Sequence, residues 1–287
     1  MNYRHAYHAG NFADVLKHAV LALVIEHLKR KDAPFRVIDT HAGPGLYDLA
    51  SEEAQKTGEW RDGIGRLLHP SKPLPDAAAE VLAPYLQAVA AVNHGKTLQR
   101  YPGSPCIALA LMRPHDRLVA NELHPEDAAQ LAAHIGRDRR AKSLALDGWT
   151  ALKSLLPPKE RRGVVLVDPP FEATDEFDKL ALGLREALRR FATGTYLLWY
   201  PIKDQRRVAS FRRSVAAVSS DRALSIELFV GAARRDERLS GCGLIVINPP
   251  HTLPGKLNYL ASFLPQHLEQ WSGSSMCIES LSERASR

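Results

Sequence analysis

Residues 163–172, GVVLVDPPFE, decide how the rest of the chain is read. Val164 to Val167 form a short apolar run rich in β-branched residues, the pattern of a strand buried on both faces. The run stops at a carboxylate, Asp168. Pro169 and Pro170 follow, and neither has an N–H to extend a ladder. One reading is a plain strand end. The other is a grip for a flat ring that carries an amine. Such an amine is a poor nucleophile, because its lone pair is delocalised into the ring. Asp168 would accept one amine hydrogen and the Pro169 carbonyl the other. Phe171 would offer a face for stacking, worth roughly 1–3 kcal/mol per base in nucleic-acid readers. Holding the amine in line with an electrophile could contribute up to ~7–11 kcal/mol through positioning.

The same strand-then-helix rhythm recurs along the chain. FRVIDT (35–40), RLVANE (117–122), KSLALDG (142–148) and GTYLLWYP (194–201) read as strands, with helical patterns expected at 125–135, 149–156, 176–191 and 203–218. Alternation of this kind means a mostly parallel sheet covered on both faces. ALSIELFV (223–230) and GCGLIVINPP (241–250) follow with no helix between them, so an antiparallel pair is expected. Together these elements predict an α/β fold with a seven-stranded, doubly wound, Rossmann-like sheet. Asn11 is placed to cap a helix reaching about Lys31, with Phe12, Val15, Leu16, Ala19 and Leu23 on one face. Residues 51–101 break the rhythm with alanines and prolines. They are expected to form a small inserted helical subdomain, leaving a core of 1–50 and 102–287. The Ser-rich tail from Ser272 is expected to be loose.

Composition narrows the function classes. Of 287 residues, 45% are hydrophobic and 24% charged, which suits a packed core rather than disorder. The formal charge of +6 fits a polyanionic partner. Arg185, Arg189, Arg190, Lys203, Arg206, Arg207, Arg212 and Arg213 are either a solvated helix face or a track for phosphates. Cys106, Cys242 and Cys277 lie far apart and form no C-x-x-C, so neither a disulfide framework nor zinc is expected, and a cytoplasmic setting follows. No stretch has a signal-peptide pattern or the ~18 apolar residues of a membrane span. His5, His8, His18 and His41 lack metalloprotease spacing, and no metal is expected. Ser104 has no G-x-S-x-G frame, which argues against a hydrolase. A similar tripeptide, the Asn-Pro-Pro of INPPH (247–251), lacks the aromatic and is read as structural.

In doubly wound sheets, ligands sit beyond the carboxyl ends of the strands. Four successive strands here end in acids: Asp39 before His41, Gly43 and Gly45; Glu122; Asp147 with Gly148; and Asp168. The glycine pattern is D-x-x-x-G-x-G rather than G-x-G-x-x-G, which disfavours a nicotinamide dehydrogenase. S-adenosylmethionine suits it better, because that cofactor has no pyrophosphate to cradle.

The D-P-P-F sequence is the acidic version of the [D/N]-P-P-[Y/F] motif of amino-methyltransferases. NYRHAYHAGNFADVLKH (2–18), DTHAGPGLYDL (39–49), YPGSP (101–105), NELHP (121–125), LDGW (146–149) and DPPFE (168–172) stand in the order found in the RlmJ family, which the chain resembles over nearly its whole length. These are class I, S-adenosylmethionine-dependent adenine-N(6) methyltransferases of bacterial 23S ribosomal RNA. The resemblance implies a Rossmann-like core with a small helical insertion, S-adenosylmethionine as donor, and 23S ribosomal RNA, free or in early assembly, as partner; a single chain acting alone is expected because no uncovered apolar helix is evident. It implies that Lys17, His18, His41, Ser104, Glu122, Asp147 and Gly148 contact the cofactor, with Glu122 on the ribose and Asp147–Gly148 beside the adenine; Gly43, in the glycine turn after Asp39, is expected to join them. Asp168 would be the catalytic acid, with Pro169 and Phe171 completing the motif, and Tyr3 would meet the RNA. Phe171 stands where many amino-methyltransferases have Tyr, so a hydroxyl contact is lost and stacking is kept. The target base would have to be unpaired or flipped out, at a cost of a few kcal/mol. DNA adenine and a protein amide are alternative acceptors for the same machinery. A non-catalytic RNA-binding protein on this scaffold would show a damaged cofactor site, yet Asp39, Gly43, Gly45, Glu122 and Asp168 are all present.

Overall fold

The computed structural model describes residues 4–70, 73–93, 95, 97–219, 222–232 and 239–281. Among these the strands are β1 (Arg36–Asp39), β2 (Leu46–Asp48), β3 (Arg100–Pro102), β4 (Arg117–Asn121), β5 (Ala141–Leu144), β6 (Gly163–Val167), β7 (Thr195–Pro201), β8 (Ala223–Phe229), β9 (Gly241–Ile247) and β10 (Ser275–Leu281). The helices are α1 (Phe12–Lys29), α2 (Glu52–Thr57), α3 (Glu59–Asp62), α4 (Ile64–Leu68), α5 (Asp76–Ala91), α6 (Ser104–Leu111), α7 (Pro125–Ile135), α8 (Gly148–Ser154), α9 (Glu176–Arg190), α10 (Gln205–Ser219) and α11 (Leu253–Leu268).

The apolar run before Asp168 is β6, buried at every position. Val164 and Leu166 pack into one apolar cluster, Val165 and Val167 into another. That two-residue alternation is what a strand between two helical layers requires. The first cluster holds side chains of α1, α5, α6, α7 and α11; the second holds those of α8, α9 and α10. Helix α1 is apolar on nearly every side and correspondingly buried, and the Asn11 side chain caps it by accepting from the amides of Ala13 and Asp14.

The main sheet runs β10-β8-β9-β7-β6-β1-β4-β5. β5, β4, β1, β6 and β7 are mutually parallel, while β9 is antiparallel to both β7 and β8. The expected antiparallel pair at 223–230 and 241–250 is therefore present. From β1 the chain steps outward to β4 and β5, then returns to place β6 on the other side of β1. The switch point between β1 and β6 opens a crevice at their carboxyl ends.

Two expectations are corrected. The tail from Ser272 is not loose throughout: Ser275–Leu281 pairs antiparallel with β8 and adds an eighth strand to the seven expected. Met276 and Ile278 pack on the core from this edge. The Ser-rich start of the tail masked that short alternation. Helix α11 also had no sequence assignment, although Leu253, Leu257, Leu260, Leu264 and Leu268 recur at helical spacing and are buried. Between β2 and β3 lie helices α2 to α5, and Ala54, Ile64, Leu82, Tyr85 and Val89 from that stretch share the apolar cluster of α1.

Candidate active site

A cavity of about 410 Å³ opens over the carboxyl ends of β1, β4, β5 and β6. Its lining includes His41 and Gly43 after β1, Glu122 after β4, Asp147 and Gly148 after β5, and Asp168 and Pro169 after β6. Lys17 and His18 reach it from α1, and Ser104 from the start of α6. The structure thus brings together ten of the residues singled out in the sequence. Phe171 lines a second cavity, of about 520 Å³, that adjoins the first. Tyr3 lies outside the described residues.

Backbone amides aim Glu122. Its Oε2 accepts from Gly43 N at 2.8 Å and its Oε1 from His124 N at 2.8 Å. Burial raises its pKa and these bonds only partly offset the effect. Asn121, just before it, stitches two neighbouring loops: its Nδ2 donates to the carbonyls of Thr40 and Leu146, and Leu146 N donates to its Oδ1. Asp147 caps α8 by accepting from Thr150 N at 2.9 Å. Gly148 has no room for a side chain, since a Cβ there would collide with the His41 ring. At Gly43 the backbone has φ of +58°, a conformation that favours glycine, and a Cβ would run into the Tyr47 hydroxyl.

A buried carboxylate, Asp39, lies beneath this floor, and two imidazoles, His18 and His41, stand in the cavity wall. Asp39 is 1% exposed, and burial pushes its pKa up to about 7 although the Ser104 hydroxyl donates to its Oδ2 at 2.6 Å. Burial pushes His41 down to about 4 and His18 down to about 3, so both rings are neutral. His18 Nδ1 and the Tyr101 hydroxyl share a 2.7 Å hydrogen bond, and Tyr101 in turn bonds Tyr85.

Lys17 and Asp168 form the partition between the two cavities, since both residues line each of them. Lys17 Nζ donates to Asp168 Oδ2 at 2.5 Å and lies 2.8 Å from Asp14 Oδ1. Burial alone would lower the Lys17 pKa, but the two carboxylates outweigh it and hold the amine above its usual value. Asp168 Oδ1 makes no hydrogen bond among the described residues. Beyond Asp168 the chain turns through Phe171 at φ of +52°, a strained conformation for a bulky residue. That turn sets the Phe171 ring 5.9 Å from Trp199, at 72°.

Sequence reasoning missed Asp14, Asn121, Trp149 and Trp199. The signal for Asp14 was there to be used: an acid three residues before Lys17 in the first half of a largely apolar helix. Trp149, whose ring meets His41 edge-on at 5.6 Å, is the last residue of LDGW (146–149). Nothing local marks Trp199, because only strand pairing brings β7 beside β6.

The cavity fits an adenosine-bearing sulfonium cofactor. Its lining holds Glu122, Asp127, Asp147, Asp168, Glu172 and Glu176 against Lys17 and Lys179, which suits a ligand with a positive sulfur and amine. His18 Nε2, on the wall, is buried without a hydrogen-bond partner among the described residues. Among the described residues no group of His, Cys, Asp and Glu could hold a metal ion.

The sheet order and a switch-point cavity with acids on successive strand ends define a class I methyltransferase fold. Residues 32–278 match the family model described as Ribosomal RNA large subunit methyltransferase D, RlmJ, and the chain belongs to that family. It is 42% identical over 268 residues to the Ribosomal RNA large subunit methyltransferase J of Escherichia coli (strain K12), covering 93% of this chain and 94% of that protein. The protein of the same name from Haemophilus influenzae is 40% identical over 280 residues, covering 97% and 98%. A crystal structure of a Legionella pneumophila protein superposes with a TM-score of 0.88 at 34% identity, covering 96% of this chain and 99% of the other.

Proposed function

We propose that the chain transfers a methyl group from S-adenosylmethionine to the N(6) amine of one adenine in 23S ribosomal RNA. The observation that carries this reading is the free oxygen of Asp168 at the junction of an acid-lined cavity and an aromatic one. The cofactor, when bound, supplies a methyl group made electrophilic by positive sulfur. Glu122 would hold its ribose, Asp147 and Gly148 its adenine, and His18, His41 and Ser104 would complete the wall. Neutral imidazoles at His18 and His41 place no positive charge against a sulfonium.

On the other side Phe171 would hold the target base. Lys17 occupies Oδ2 of Asp168, which leaves Oδ1 as the acceptor for the amine. The Pro169 carbonyl would take the second amine hydrogen. Both bonds strengthen as the attacking nitrogen gains positive charge, so they favour the transition state over the ground state. Asp168 is also the group that would take the proton the methylated amine must lose.

We further assign residues 51–101 to an insertion on the core, and read the protein as a cytoplasmic single chain acting on free RNA or an early assembly intermediate. No helix among the described residues is long and apolar enough to cross a membrane. The test is labelled methyl transfer offered in parallel to ribosomal RNA from cells lacking this gene, to DNA and to protein extract. Label entering only the RNA, and released as N(6)-methyladenosine on digestion, is expected. Label in DNA or protein alone would overturn the assignment.

A further inference from the structure

The second cavity differs from the first in which charges are left without partners. Each carboxylate on its lining is engaged. Asp14 pairs with His5 and Lys17, Glu59 with His8 and Asn11, Asp62 with Arg66, and Asp168 with Lys17. Two exposed lysines on the same lining have no carboxylate within ion-pair distance among the described residues: Lys56 in α2 and Lys203 after β7. Lys56 Nζ instead lies 5.8 Å from the centre of the Tyr7 ring. Phe171 and Trp199 stand on that wall as well.

A cavity with an aromatic wall and two unneutralised cations fits a nucleotide that enters base first with its phosphates behind it. We infer that Lys56 and Lys203 hold the RNA phosphates flanking the extruded adenosine, an inference that rests on the function proposed above. Helix α2 of the 51–101 segment and the loop between β7 and α10 are then the two sides of the RNA entrance. An ammonium is the right group here, because it neutralises a phosphate as a point charge without demanding one strand geometry.

The test measures RNA binding against salt, using a transcript of 23S ribosomal RNA and the full chain carrying K56A, K203A or both. K159A serves as control, an exposed lysine in the loop before β6, at the opposite end of the parallel strands. Each lysine that meets a phosphate should lower the slope of log affinity against log salt by about 0.7. The double variant should therefore lose about 1.4 in slope, with its RNA KM raised several-fold and its affinity for S-adenosylhomocysteine unchanged. K159A should match the wild type. A double variant with the slope of K159A, in protein that still methylates RNA, overturns the entrance and leaves the function standing. Wild-type protein that transfers no methyl group to RNA overturns both.

Discussion

The cavity above the strand ends and the one beside it are built from different parts of the chain. The first is floored by glycines and walled by carboxylates that follow successive parallel strands. The second is walled by the N-terminal segment, α2, α3 and the aromatic residues of β6 and β7 loops and strands. The first offers acid to a cation; the second offers flat rings, with two lysines free to meet an anion. Asp168 faces both. On the proposed function, the contrast teaches how one carboxylate would serve a transfer between ligands of opposite charge: each ligand would have its own chamber, and the shared wall would carry the acceptor.

This division can be broken or sharpened by substitution. The largest effect is expected from Asp168→Ala, which removes both the charge and the acceptor oxygens. Turnover should fall by roughly 10²–10³-fold, while calorimetry with S-adenosylhomocysteine shows affinity within about threefold, since a factor of three is under 1 kcal/mol. Equal losses in both would mean that Asp168 belongs to the first chamber alone. Next comes Glu122→Ala. Loss of a charge-assisted pair of hydrogen bonds should weaken S-adenosylhomocysteine by roughly 10- to 100-fold and leave RNA affinity as it was. A drop in RNA binding of similar size would erase the boundary between the chambers.

Phe171→Ala should act in the opposite sense. Losing about 1–3 kcal/mol of stacking raises the RNA KM by roughly 5- to 150-fold, with cofactor binding intact. An RNA KM that does not move would show that the ring is not the platform.

The smallest effect concerns the floor of the first chamber. Burial lifts Asp39 to about 7, whereas its ordinary value is 3.8. The folded protein therefore keeps a proton that the unfolded chain releases, and stability should fall as pH rises from about 4 to 7. Asp39→Asn fixes the neutral form and should flatten that slope, which for one group is at most about 1.4 kcal/mol per pH unit. Melting curves of both proteins across that range decide it. Parallel profiles would mean that Asp39 is ionised in the fold.

Much of the first chamber was legible in the sequence. A strand run of four to seven residues, the acid that ends it and the glycines that turn the chain are neighbours in sequence. Their conformations are set by local sterics and hydrogen bonding. Glu122, Asp147 and Asp168 could thus be placed at strand ends from pattern alone. The tail was misread because a serine-rich stretch hid the alternation of Met276 and Ile278, and because a strand at a sheet edge gains its stability from β8 rather than from its own propensity. The INPPH stretch shows the converse. Asn248 follows β9, whose antiparallel course carries it to the amino ends of the parallel strands, and there its side chain donates to the carbonyls of Ala192 and Gly194. Two similar tripeptides differ in setting because their strands point in opposite directions.

Asp168 lies at the end of a buried strand with a proline behind it wherever the chain folds this way, because strand period and a missing N–H act over a few residues. That Lys17, 151 positions earlier, closes on its Oδ2 was settled only when α1 packed across the sheet. So was the meeting of Phe171 with Trp199, which needs β6 and β7 in register. Contacts of that kind depend on the summed burial of whole layers, and no stretch of neighbouring residues encodes such a sum.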